Sequence, residues 1–234
     1  TGGEQHGKGA MRTAAIIVAA GRGTRAGGTS PTQWQSLAGA RVIDHAIAAF
    51  SSHPAINTIT LVLHEDDLHM APDGIDTVPG GADRCVAVFA CLQHVKVEPP
   101  DVVLIHDAAR PCIPPKLIDN VLAALTIHGG AAPALPVTDA LWTGAEGRVT
   151  GTQDRARLFR AQTPQGFRFP ELLAAHKACA GAAADDVEVA RQAGLDVAIV
   201  EGEEVNLKIT LPADFARAER ILESRYGHPP RQRI

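Results

Sequence analysis

Several polar residues stand directly after apolar runs, where they could bind a phosphorylated ligand. The run 13–19 ends in Ala20-Gly21-Arg22-Gly23-Thr24-Arg25, two glycines among cations. Glycines let the backbone turn tightly, and successive N–H groups with arginines beside them form a nest for phosphate oxygens. A bare structural turn is the alternative. The position directly after a predicted strand favours an anion site, because open α/β sheets bind ligands at the carboxyl ends of strands.

A carboxylate and a lysine are further candidates. Asp107 ends the apolar run 101–107. A hard carboxylate oxygen there suits Mg²⁺, which takes one or two carboxylates plus substrate phosphates. A helix cap or loop carboxylate is the alternative. Lys208 is a lone cation in the apolar, strand-like run 204–210, and a solvated edge-strand lysine is the alternative to a functional one.

The remaining polar candidates are weaker on local sequence. Arg84 follows Gly80-Gly81-Ala82-Asp83 at a predicted helix start, where it could read a base or bind an anion, or simply lie in solvent. By themselves Asp154-Arg155 and Thr163-Pro164-Gln165 indicate loops. His106 precedes Asp107 on a buried strand, and we interpret it as a hydrogen-bonded core residue rather than a general base.

The elements that must position these residues alternate between strand and helix. Apolar runs without polar alternation predict buried strands, and apolar residues at helical spacing predict helices. The predicted strands are 13–19, 56–63, 76–79, 101–107, 131–137 and 195–200, and the predicted helices are 42–50, 85–92, 114–125 and one that Thr210 caps. This alternation predicts an α/β fold with a doubly wound, mainly parallel sheet.

Residues 138–162 interrupt the alternation. Turn-forming residues at 143–148, between two short strand-like runs, predict a projecting β-hairpin arm at about residues 139–157. Such an arm in an otherwise compact domain covers a site or meets a partner subunit.

Composition narrows the class of protein. The 234 residues carry a net charge of -4, which gives no basis for binding nucleic acid or a membrane surface. The longest apolar run is far shorter than the roughly 20 residues that a membrane helix needs. Four cysteines without CxxC spacing indicate reduced thiols in a cytoplasmic protein rather than a zinc site or a disulfide framework.

Together the motifs resemble the 2-C-methyl-D-erythritol 4-phosphate cytidylyltransferase family in their order and spacing. They are the loop 19–25, Gly80-Gly81, His106-Asp107-Ala108-Ala109-Arg110-Pro111, Asp154-Arg155, Thr163-Pro164-Gln165 and Asn206-Leu207-Lys208-Ile209-Thr210. The resemblance covers Met11 to about Arg225. It implies cytidylyl transfer from CTP to methylerythritol phosphate, with release of pyrophosphate, in non-mevalonate isoprenoid synthesis.

The resemblance also implies a fold, a cofactor and a partner. We expect a Rossmann-like, mixed but mainly parallel sheet, a divalent cation such as Mg²⁺, and a homodimer formed through the arm. One nucleotidyltransferase domain would span residues 11–226. Residues 1–10 resemble a phage-capsid epitope tag and are interpreted as an added leader, and residues 227–234 as a tail or linker.

Site roles follow from the resemblance residue by residue. The triphosphate would be held by Ala19, Ala20, Gly21, Gly23 and Arg25, and the cytosine would face Gly81, Ala82 and Asp83. Asp107 would bind the metal, and Arg110 and Thr163 would help to bind the acceptor. Lys208 and Arg155 of the partner subunit would position the incoming phosphate.

Four positions depart from the family pattern. Thr32 stands where the family has a lysine that contacts the α-phosphate, and Ala87 stands where a serine contacts the nucleotide. Ala140 and Ala184 replace threonines that help to bind the acceptor. All four changes remove charge or hydrogen-bonding capacity from the site. They leave two alternatives open: an impaired family member that only binds nucleotide, and a cytidylyltransferase for another polyol phosphate.

Overall fold

A computed structural model of the protein describes residues 11–23, 30–81, 83–179 and 183–226. The strands are β1 (Thr13–Ala19), β2 (Ser36–Leu37), β3 (Ala40–Arg41), β4 (Thr58–Leu63), β5 (Asp76–Pro79), β6 (Val102–Asp107), β7 (Gly130–Pro136), β8 (Leu141–Ala145), β9 (Arg148–Gln153), β10 (Phe159–Ala161), β11 (Gln165–Arg168) and β12 (Val197–Glu201). The helices are α1 (Val42–Ser51), α2 (Arg84–Val95), α3 (Pro115–Ala124), α4 (Phe169–Ala178), α5 (Asp186–Gln192) and α6 (Pro212–Tyr226). Short 3-10 turns cover Thr32–Trp34 and Glu65–Met70.

Eight strands form the central sheet, in the order β10-β7-β11-β6-β1-β4-β5 with β12 paired to β7. β1 pairs in parallel with both β4 and β6, and β12 pairs in parallel with β7. β11 runs antiparallel between β6 and β7. The predicted doubly wound, mixed and mainly parallel sheet is therefore confirmed. Because the strand order reverses at β1, a crevice is expected at the carboxyl ends of β1 and β6.

Helices cover the sheet on both faces. The adjacent residues Ile16 and Ile17 of β1 are both fully buried, but they pack into different apolar clusters. One cluster includes residues of α1 and α3, and the other includes residues of α2 and α4. A strand covered on both faces has no solvent side, which explains why its sequence shows no polar alternation.

The predicted hairpin arm is present as β8 and β9, which pair only with each other among the described strands. Its residues are mostly exposed, including Trp142 and Val149. Helices α4 and α5 and strands β10 and β11 were not predicted. In the described residues, no helix is long and apolar enough to cross a membrane. The expected leader at 1–10 and tail at 227–234 lie outside those residues.

Two local predictions around the last helix are wrong. The run around Lys208 is not a strand, and Thr210 does not cap α6. The Thr210 hydroxyl donates instead to the Lys208 carbonyl at 3.3 Å. The Asp214 carboxylate accepts the backbone N–H groups of Thr210 and Leu211, at 3.0 and 2.9 Å. A first-turn carboxylate thus satisfies the amides that precede the helix.

His106 is a core residue, as predicted. Its ring is fully buried and lies 5.0 Å from the Phe50 ring. Nε2 donates to the Arg110 carbonyl at 3.0 Å, so Nδ1 accepts from the Thr163 hydroxyl at 2.9 Å. The same hydroxyl accepts the Asp107 N–H at 3.1 Å. Burial lowers the pKa of His106 from its ordinary 6.5 to about 4, so the ring is neutral.

We expect the free energy of unfolding to fall as the pH drops from about 6.5 towards 4. In that window the unfolded chain binds a proton at residue 106 that the folded chain excludes. The full effect is about 3 kcal/mol. Urea denaturation at pH 7 and pH 5 measures it, and His106→Gln should reduce the difference between the two pH values. His69→Gln, at an exposed histidine, is the matched control. An unchanged difference in His106→Gln would contradict a neutral His106.

Candidate active site

A cavity of about 620 Å³ opens where β1 and β6 end. Its lining comes from the loop after β1, the turn before α2, the end of β6 and the segment before α6. Ten predicted site residues line it together: Ala19, Ala20, Gly21, Gly23, Thr32, Gly81, Asp83, Ala87, Asp107 and Lys208. The topology therefore brings together residues that are far apart in the sequence.

The glycine loop is held by Gln33, whose role the sequence analysis did not predict. The buried Gln33 amide donates to the carbonyls of Ala19 and Gly21, at 2.8 and 3.0 Å. Arg22 was expected to lie beside a phosphate. It lines the cavity, donates to the Asp67 carboxylate at 3.1 Å and also pairs with Asp66. Arg22 thus anchors the loop to the 3-10 turn at 65–70.

The turn before α2 lies against the glycine loop because residue 80 is glycine. A Cβ atom at Gly80 would lie 2.5 Å from the Ala20 Cβ and 3.2 Å from the Leu63 carbonyl oxygen. Any larger residue would push the two loops apart. Asp83 then caps α2, its carboxylate accepting the Val86 N–H at 2.9 Å.

Asp107 is surrounded by three cations. Arg84 donates to its Oδ1 at 2.8 Å and Lys208 to its Oδ2 at 2.9 Å, while Arg110 Nε lies 3.7 Å from Oδ2. Burial raises the pKa of the Asp107 carboxyl, but the charges of Arg84, Lys208 and Arg110 outweigh burial and hold that pKa well below its usual range. The carboxylate is therefore ionised, and the cations around it exceed its charge.

Arg84, considered above as a base reader or anion ligand, lines both cavities, and both of its amino groups contact carboxylates. Its second amino group donates to the buried Asp186 carboxylate at 3.1 Å, so the guanidinium bridges two carboxylates. Asp186 begins α5 and lies 102 residues from Arg84 in the sequence. No local motif signals that pairing.

A smaller cavity of about 180 Å³ adjoins the first and shares Arg84, Asp107 and Lys208 with it. The predicted acceptor-site residues Arg110, Thr163 and Ala184 line it. Arg110 also donates to the Asn206 carbonyl at 2.8 Å, and the Asn206 amide donates to the Thr163 carbonyl at 2.8 Å. These bonds fix the segment that carries Lys208.

The departures from the family pattern lie in different places. Thr32 is buried at the cavity wall, and its hydroxyl donates to the Gly23 carbonyl at 3.3 Å. Ala87 lines the large cavity and Ala184 the small one, each with a methyl group. Ala140 and Arg155 are exposed on the arm segment and line neither cavity. The predicted site residues Arg25 and Ala82 lie outside the described residues.

Asp107 fits a magnesium ion that arrives with a phosphorylated ligand. In the described ranges, no group of three or more His, Cys, Asp or Glu side chains could hold a metal by itself. Magnesium does not need such a cage, since it is commonly held by one or two carboxylates plus substrate phosphates and water. The ionised Asp107 carboxylate is the group that would hold such an ion.

Comparisons with known proteins agree with this geometry. The family profile described as IspD, 2-C-methyl-D-erythritol 4-phosphate cytidylyltransferase, matches residues 13–224. A protein of that name from Cereibacter sphaeroides is 57% identical over 219 residues, which cover 91% of this chain and 97% of the relative. A "Bifunctional enzyme IspD/IspF" from Ruegeria pomeroyi is 58% identical over 220 residues, which cover 91% of this chain and 57% of the relative.

A solved structure matches as well. The crystal structure of 2-C-methyl-D-erythritol 4-phosphate cytidylyltransferase from Thermus thermophilus has a TM-score of 0.76 at 29% sequence identity. The match covers 89% of this chain and 98% of that one. By sequence, by fold and by the extent of both matches, the chain belongs to the 2-C-methyl-D-erythritol 4-phosphate cytidylyltransferase family.

Proposed function

We propose that the chain transfers a cytidylyl group from CTP to 2-C-methyl-D-erythritol 4-phosphate and releases pyrophosphate, in non-mevalonate isoprenoid synthesis. The observation that carries the proposal is the shared wall of the two cavities. Asp107 and Lys208 line both, so that a nucleotide in the larger cavity and a phosphorylated acceptor in the smaller one would meet at these two residues. About 620 Å³ falls in the range of small-molecule sites.

The nucleotide would lie along the glycine loop. Backbone N–H groups of Ala19, Ala20, Gly21 and Gly23, together with Arg25, would hold the triphosphate. Gly81, Ala82 and Asp83 would face the cytosine, with Ala87 behind them. The close approach of Gly80 to Ala20 supports this assignment, because it brings the phosphate-binding and base-binding turns to one cavity.

The acceptor would lie in the smaller cavity. Arg110, Thr163 and Ala184 line it, and Arg155 of the partner subunit would complete it in a homodimer formed through the arm, which also carries Ala140. The exposed apolar residues Trp142 and Val149 on the arm support a partner there. We infer that residues 11–226 act as one nucleotidyltransferase domain in the cytoplasm.

Catalysis would rest on charge placement. The acceptor phosphate attacks the α-phosphorus in line, pyrophosphate leaves, and negative charge spreads over the surrounding oxygens. Magnesium, held by Asp107, would neutralise phosphate charge when bound. Lys208 is about half exposed and can turn from Asp107 to the acceptor phosphate, whereas Arg84 and Arg110 are less exposed and keep Asp107 in place. Cations and N–H donors placed around the α-phosphorus stabilise the negative charge that develops there.

We expect Lys208→Gln to lower kcat/KM by about 10²- to 10³-fold, because it removes a cation beside the transferred group. Pyrophosphate release with CTP, methylerythritol phosphate and magnesium is the measurement. Lys177→Gln, at an exposed lysine of α4, is the matched control and should keep the wild-type rate. Absence of pyrophosphate above background from the wild-type chain, even at high enzyme concentration, would refute the proposed transfer.

A second candidate function is nucleotide binding without efficient transfer, and Thr32 favours it. Threonine cannot supply the positive charge that the family's lysine places at the α-phosphate. Loss of one such cation can cost about 10²- to 10⁵-fold in rate. Ala140 and Ala184 also leave room for another polyol phosphate, such as ribitol 5-phosphate, as acceptor. A panel of polyol phosphates would separate that third possibility from the others.

Thr32→Lys should raise kcat by at least about tenfold, which corresponds to ~1.4 kcal/mol of transition-state stabilisation. Residue 32 lines the larger cavity, where the triphosphate would lie. Thr32→Met is the matched control, since methionine adds length without charge and should not raise kcat. If both variants leave kcat at the wild-type value, the missing cation does not limit the rate. Calorimetry that detects no CTP binding would rule out the nucleotide-binding function.

A further inference from the structure

Two thiols lie side by side next to the active site. The Cys85 sulfur, in the first turn of α2, lies 3.7 Å from the sulfur of Cys179 at the end of α4. Both cysteines are partly exposed, whereas Cys91 and Cys112 are buried. Bonded sulfurs in a disulfide are about 2.05 Å apart. A movement of about 1.7 Å would therefore join the pair.

His176 is placed to accept the proton of the Cys85 thiol. Nε2 of the buried His176 lies 3.2 Å from the Asp186 carboxylate, which can only accept, so Nε2 carries the ring proton. Nδ1 is then an acceptor, and it lies 3.6 Å from the Cys85 sulfur. The ring is further held by a stacked contact with Phe89 at 6.3 Å. A thiol, a histidine and a carboxylate in this order form an arrangement that activates sulfur as a nucleophile.

The thiol pair is connected to the catalytic carboxylate through Asp186. One Asp186 oxygen holds His176, and the other accepts from Arg84 at 3.1 Å. Arg84 in turn donates to Asp107 at 2.8 Å. Arg84 and Cys85 are adjacent in the first turn of α2. A shift of the Cys85 sulfur towards Cys179 would therefore move the turn that positions Arg84.

We propose that Cys85 and Cys179 form a reversible disulfide with a small-molecule disulfide as oxidant, and that this bond lowers the activity by displacing Arg84 from Asp107. The effect on activity rests on the proposed function, whereas formation of the bond does not. Closing a loop between positions 85 and 179 also restricts the unfolded chain, which favours the bond in the folded protein.

The chemistry balances with oxidised glutathione. The Cys179 thiol loses its proton to water, the resulting thiolate attacks one glutathione sulfur, and the glutathione S–S bond breaks. One glutathione leaves as a thiolate, which takes up that proton from water. The Cys85 sulfur then attacks the Cys179 sulfur, its proton passes to His176 Nδ1, and the second glutathione leaves as a thiolate. Burial and the Cys179 thiol raise the pKa of Cys85 to about 11, so its sulfur needs this base at neutral pH. Two protein thiols are oxidised and one glutathione disulfide is reduced.

The test treats the full chain with oxidised glutathione and maps its peptides without reduction. A peptide pair that links Cys85 to Cys179 is expected. In the same sample, kcat/KM for CTP should fall by about tenfold or more, because a displacement of about 1 Å near reacting groups can cost up to 10²-fold. Dithiothreitol should restore the reduced value.

Variants separate the bond from its effect. Cys85→Ser should keep the wild-type kcat/KM in reducing buffer and should not respond to the oxidant. Cys91→Ala, at a buried cysteine of the same helix, should respond like the wild type. A map without the linked pair overturns the disulfide, and a linked pair with unchanged kcat/KM overturns its effect on the site. Because the map reads the bond directly, it decides the disulfide even if the chain transfers no cytidylyl group.

Discussion

The ion pairs of Asp107 are the interaction on which the site depends. A carboxylate taken out of water loses several kcal/mol of solvation, and nearby cations must compensate for that loss. Arg84 from α2, Arg110 from the loop after β6 and Lys208 from the segment before α6 supply them here. The Asp107 carboxylate thereby holds three separate parts of the chain together. The three cations differ in exposure, since the two arginines are largely buried and Lys208 is half exposed. Two of them are structural in the resting site, and the third is available to a ligand.

The remaining geometry follows from the sheet. β1 and β6 are direct neighbours, so the glycine loop and Asp107 leave the sheet at the same edge. Gln33 then holds the loop by its carbonyls, and the Gly80 contact brings the turn before α2 against it. Each of these contacts is short in space, although it joins residues that are separated in the sequence. Together they turn the general tendency of open α/β sheets to bind ligands at strand ends into a defined cavity.

The sequence predicts the parts of the fold that repeat a simple pattern. Strand β1 is predictable because burial on both faces makes its residues uniformly apolar. Helix α1 is predictable because burial of one face places apolar residues at helical spacing. Helix α4 has alanine, histidine and lysine among its leucines, and α5 has only seven residues, so neither has a strong period. The glycine loop, Asp107 and Lys208 were identified as candidates because they follow or interrupt apolar runs. The partner of Arg84 was not, because Asp186 lies 102 residues away and only the folded sheet brings it near.

The position of β11 has a consequence for the order of assembly during synthesis. β1, β4, β5 and β6 are made first and pair among themselves, but one edge of β6 is covered only by β11, which ends at Arg168. One edge of β7 is likewise unpaired until β12, which ends at Glu201, has been synthesised. Until those segments leave the ribosome, an apolar strand presents unpaired backbone groups to solvent. The nascent chain therefore exposes its most aggregation-prone edges after β6 and β7 are made and before β11 and β12, which complete the sheet, have been synthesised.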